Sequence, residues 1–135
     1  MAQTTKQDDR TYLAQYRDQL SDATRRAKWI GVTADHEDRP GQTLATRSHE
    51  VITQWAGERG AKPATIGGTE HGERPGVLRF DFPGFEEGGK LQEIGWDKWF
   101  ESFDQRDLVF DYQEHLRSGR QSNFFKLDSP HGERG

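Results

Sequence analysis

The stretch Pro75-Gly76-Val77-Leu78-Arg79-Phe80-Asp81-Phe82-Pro83-Gly84 decides how the rest of the chain is read. Leu78, Phe80 and Phe82 alternate with Val77, Arg79 and Asp81, the period-two pattern of a strand with one buried face. Pro75 and Pro83 lack an N–H, which confines the pairing segment to 76–82. Arg79 and Asp81 then share the outward face. With Asp111 on a neighbouring strand they form a candidate polar site on the sheet, for which a simple cross-strand charge pair is the alternative.

The elements around this strand follow from local patterns. Thr46 or Ser48 caps a short helix whose buried stripe is Val51, Ile52, Trp55 and Ala56, and Gly60 stops it. Ala64 to Ile66 reads as a short strand. The glycine-rich loop 67–74 has no Walker lysine and no G-x-G-x-x-G, so it reads as a hairpin connection and not a phosphate cradle. Trp96, Trp99, Phe100 and Phe103 stand at i, i+3, i+4 and i+7 after Gly95, which makes a helix face that covers the sheet or, alternatively, offers a stacking platform to a ligand. Leu108, Phe110 and Tyr112 alternate as a further strand, and 122–127 form the last one. The expected fold class is α+β, a four-stranded, mostly antiparallel sheet in the order α-β-β-α-β-β with two short helices on one face.

Ahead of this domain, Tyr12 or Leu13, Tyr16, Leu20, Ala23, Ala27 and Ile30 recur at spacings of three and four and predict one amphipathic helix over 9–30. The organisation expected is an N-terminal helical arm (1–30), a polar linker (31–47), the α+β domain (48–128) and a disordered polar tail (129–135). The thin stripe must dock on something: its own domain, a second copy or a protein partner. Tyr12, Tyr16, Leu20 and Ile30 are the candidate interaction residues.

Composition narrows the function classes. The 135 residues are 30% hydrophobic and 31% charged, with a mean hydropathy of −1.07, and suit one domain with some length outside its core. There is no cysteine, hence no disulfide, thiolate metal site or cysteine nucleophile. No apolar run reaches a membrane span of about 18 residues and the start is polar, so a cytoplasmic protein without membrane contact is expected. The net charge of −4 divides unevenly: residues 1–48 carry eight Lys/Arg against seven Asp/Glu, and 49–135 carry eleven against sixteen. A generally basic nucleic-acid binder is disfavoured.

The runs Ser48-His49-Glu50-Val51-Ile52, Glu58-Arg59-Gly60-Ala61-Lys62-Pro63-Ala64, Gly76 to Phe82, Ile94-Gly95-Trp96-Asp97 and Ser122 to Leu127 together resemble a family of small uncharacterised bacterial proteins. The likeness covers about residues 43 to 129. Some members carry the label 1,4-alpha-glucan branching enzyme. A barrel of that kind takes about 250 residues, so what the resemblance implies is a compact domain, and it carries no active-site residues over. Gly95 departs from the serine cap usual at that position.

No catalytic, cofactor or metal site emerges from the motifs. His36, His49, His71, His115 and His131 include no pair at i, i+4, and the paired carboxylates Glu86-Glu87 and Asp104 with Asp107 suit loops and helix ends. Arg117, Arg120 and Lys126 beside Phe124 are candidate contacts for single-stranded nucleic acid on the last hairpin. The function expected is a non-enzymatic protein-interaction or binding domain using the N-terminal helix. Weak nucleic-acid binding is the second hypothesis, and carbohydrate chemistry near Trp96, Trp99 and Asp81 the third.

Overall fold

Four α-helices and seven strands in two sheets make up the residues that the computed structural model describes, 6–69, 75–84 and 90–131. The chain is an α+β protein led by a helix, α1 (Lys6–Tyr16). A mixed four-stranded sheet has the order β1-β2-β6-β7, from Lys28–Trp29, Leu44–Thr46, Val109–Tyr112 and Phe125–Asp128, with β1 and β2 parallel and the other pairs antiparallel. A separate antiparallel sheet has the order β4-β3-β5, from Leu78–Asp81, Lys62–Ile66 and Leu91–Glu93. The expected single sheet is thus divided. The strand of Phe80 is an edge, and β3 is the centre of its sheet.

The three strands absent from the sequence reading share a physical cause. β1, β2 and β5 are two or three residues long, too short to show a period. All three residues of β2 are buried because both sheet faces are covered, so no polar residue alternates. Residues 31–47 are accordingly more than a linker, since they contribute the strand that joins β1 to β6.

The expected helix over 9–30 is also broken. It ends at Tyr16, passes through a single 3-10 turn at Arg17–Gln19, and restarts as α2 (Asp22–Arg26). Leu20 is extended, and the Ser21 hydroxyl accepts the Thr24 N–H at 3.3 Å. A strong N-cap thus competes with helix continuation and wins. The stripe is split as a result. Tyr12 and Leu20 lie against Ala45 and Val109 on the outer sheet face, whereas Ile30 enters the main core on the other side.

That main core joins both sheets to α3 (His49–Glu58) and α4 (Trp96–Gln105). Phe80 occupies its middle, with ring centroids 5.2 Å from Trp99, 5.9 Å from Phe110 and 4.9 Å from Phe125. The Ser48 hydroxyl caps α3 by accepting from Val51 N, and Gly60 follows that helix at φ 65°. Asp107 takes the left-handed conformation after α4 at φ 56°, which an Asp tolerates better than a branched residue. It anchors two termini: its carbonyl accepts the Tyr12 hydroxyl at 2.5 Å, and its carboxylate contacts Tyr16 and His131. Residues 129–131 of the expected tail are therefore held, with Ser129 and Pro130 buried.

Candidate functional site

The expected sheet-face site does not assemble. Arg79 lies exposed on β4 opposite Ala64, and Asp81 lies opposite Lys62. Asp111 belongs to the other sheet and is 1% exposed. The reason is pairing: β4 takes β3 as its neighbour, and β6 takes β2 and β7.

Asp111 instead forms a closed acid cluster beneath the N-terminal segment. Thr24 Oγ1 lies 2.6 Å from Asp111 Oδ2 and 2.6 Å from Asp128 Oδ2, and Ser21 N donates to the same Asp128 oxygen at 2.9 Å. One hydroxyl has one proton to give. The cluster is satisfied when a protonated Asp111 donates to Thr24 and Thr24 donates to ionised Asp128. Burial pushes the Asp111 carboxyl up to about 7. Burial acts the same way on Asp128, but bonds from Thr24 and Ser21 outweigh it and hold that carboxyl below its ordinary value. Among the described residues Asp111 Oδ1 has no hydrogen-bond partner, and Thr24 is fully buried.

The candidate interaction stripe is likewise occupied by the chain itself. Tyr12 and Leu20 are buried against the outer sheet face, Ile30 lies in the main core, and Tyr16 is half-buried beside His131. The Arg47 guanidinium stacks over Tyr12 at 4.5 Å. On the last hairpin, Arg117, Arg120 and Lys126 are exposed and Phe124 is 46% exposed, while Phe125 turns into the core.

An open trough runs along α3. Its first end, about 660 Å³, is floored by aromatic rings at the start of α4. His49 stacks on Phe100 at 4.0 Å and 11°, and Trp96 stacks on Phe100 at 5.1 Å and 16°. The helix period explains who is available. Trp99 and Phe103 turn to the core and are fully buried, whereas Trp96, in the first turn, overhangs the edge and stays half-exposed. Trp29, Trp55 and Trp99 each donate the indole N–H to a backbone carbonyl. Among the described residues Trp96 donates to none, so the alternatives of core or platform divide between the two tryptophans of α4.

The other end of the trough, about 500 Å³, is polar and lined by His36, Glu37, Glu58, Arg59, Glu114 and His115. A recess of about 20 Å³ lies between the two, sharing Thr33 and Gln54 with the aromatic end and His36, Glu58 and Glu114 with the polar one. His36 Nδ1 lies 2.7 Å from Glu114 Oε2, and His115 Nδ1 lies 2.6 Å from Glu37 Oε2. Glu114 Oε1 accepts the Glu37 N–H at 2.9 Å, which locks the two pairs together. The bond to Glu114 raises the His36 imidazole above its ordinary value. The Arg59 guanidinium donates to the carbonyls of Ser122, Trp55 and Glu114 at 2.6, 2.9 and 2.9 Å.

Sequence reasoning missed these pairs because each imidazole meets its carboxylate 78 residues away. His49 with Asp104 and His131 with Asp107 repeat the pattern. His71, Glu86 and Glu87 lie outside the described residues. Among the described residues no group of three metal-ligating side chains converges, and no helix is long and apolar enough to cross a membrane. Comparison of the chain with protein-family models, with curated proteins and with solved structures finds no match.

Proposed function

We propose that this protein is a binding domain whose ligand lies in the trough along α3, with a flat apolar group seated against Trp96, whose ring Phe100 backs from the core side. One observation carries the reading. Trp96 keeps a half-exposed ring over an open groove and an indole N–H that donates to no group among the described residues, beside residues of the same helix that the core consumes. Ring stacking and a free donor together hold an aromatic or sugar-like face more tightly than area burial alone. The N-terminal segment serves the fold in this reading, because its apolar side chains already cover the outer sheet face.

Saturation-transfer NMR with N-acetyl-tryptophanamide as the probe tests the proposal. Transfer to the indole ring is expected in the wild type and its loss in Trp96→Ala, with little change in melting temperature. Equal transfer in both proteins counts against the site. A second reading, single-stranded nucleic acid on the last hairpin, draws on the exposed ring of Phe124 near Lys126. Fluorescence anisotropy with a short single strand checks it: a salt-dependent affinity that Phe124→Ala weakens is the expected result, and no binding at micromolar protein removes it.

A further inference from the structure

Resting on that binding reading, we infer that the trough takes an extended peptide segment with an aromatic side chain at one end and a lysine or arginine at the other, about 12 Å apart along α3. The spacing comes from the helix. Glu50 lines the aromatic end and Glu58 the polar end, eight residues apart on α3.

The charge of the second group follows from what the polar end has to offer. Arg59 is the permanent cation there, and its side chain is 2% exposed. Bonds to three backbone carbonyls within 2.9 Å hold it inward, so an anionic ligand meets little of the guanidinium. The carboxylates are acceptors only. Glu37 Oε1 is buried without a hydrogen-bond partner, and Glu58 is half in solvent. Three carboxylates, Glu37, Glu58 and Glu114, line this end against one buried guanidinium, and a positively charged donor satisfies such a set best. Between the two ends, Thr33 and Gln54 supply a hydroxyl and an amide suited to peptide groups.

Four acetylated and amidated peptides provide the test on the full chain: Trp-Gly-Gly-Lys, Trp-Gly-Gly-Gln, Trp-Gly-Gly-Glu and Ala-Gly-Gly-Lys. An extended peptide of this length spans about 10 Å between its outer Cα atoms, with side chains supplying the rest. Titration calorimetry is expected to rank Lys on the order of tenfold above Gln, with Glu weakest and the Ala peptide unbound. Glu58→Gln narrows the Lys preference and Glu58→Lys reverses it toward the Glu peptide. Position 58 is exposed enough for both variants to fold. Equal affinity for the Lys, Gln and Glu peptides overturns the cation assignment and leaves the aromatic site standing. Failure of every Trp peptide to bind overturns the binding reading together with this one.

Discussion

Asp111 and Asp128 beneath the N-terminal segment, and Glu37 and Glu114 at the polar end of the trough, are both acid pairs held by hydrogen bonds, but they differ in what reaches them. Thr24, a fully buried hydroxyl, lies between the first pair. Two imidazoles and an open volume of about 500 Å³ adjoin the second. A closed pair must solve its charge problem internally by keeping a proton, whereas an open pair solves it with solvent, histidine or a ligand. The closed pair therefore governs stability. The open pair serves binding under the proposed function.

The largest expected effect is the pH dependence that the closed pair imposes. The folded-state value of Asp111 is raised to about 7, so the native protein holds a proton that the unfolded chain releases near pH 4. The contribution of Asp111 is then full below about pH 4, falls as pH rises toward 7 and levels off above it, by up to about 4 kcal/mol at the upper bound, while the depressed Asp128 contributes in the opposite sense at acid pH. Asp111→Asn keeps a donor toward Thr24 and removes the titration. Denaturant melts at pH 5 and pH 8 are expected to show wild type losing ground to the variant, and parallel profiles contradict the proton assignment.

Next in size is Thr24→Val, which strands Asp111 at an unchanged volume and leaves Asp128 with the Ser21 N–H alone of its bonds to this segment. A loss of roughly 2 to 3 kcal/mol is expected at pH 6, with Thr24→Ser recovering most of it, and chemical denaturation measures both. A cost below about 0.5 kcal/mol means that water enters beneath the segment and that the pair is not closed. At the small end stands Glu58→Gln in the open trough. Its stability change is expected within about 0.5 kcal/mol, because the ion pair with Arg59 is long and half-exposed.

The two regions also differ in how far the chain announces them. Helices with strong local signals were legible: the Ser48 cap, the Gly60 stop and the Trp96-Trp99-Phe103 face all appear where pattern places them. The apolar face of Leu78 and Phe80 was legible too, though not its partner, because period-two alternation says which side is buried and nothing about which strand lies alongside. Neither acid pair was legible. Thr24 sits between charged residues of a helical pattern, and what makes it structural is contact with Asp111, 87 residues on. The trough was visible as an aromatic stripe, but the period alone does not separate Trp96 from Trp99. Only the position of the first turn at the edge of the core does so.

The most direct measurement follows the indole N–H resonances of Trp96 and Trp99 by heteronuclear NMR while the acetylated, amidated Trp-Gly-Gly-Lys peptide is added. The expected result is a saturable shift of the Trp96 signal, accompanied by Gln54 and His36, with Trp99 and the Thr24 amide unmoved. A spectrum in which Trp96 stays fixed at millimolar peptide, or in which Trp99 and Thr24 move instead, contradicts the division between an open binding trough and a closed structural cluster.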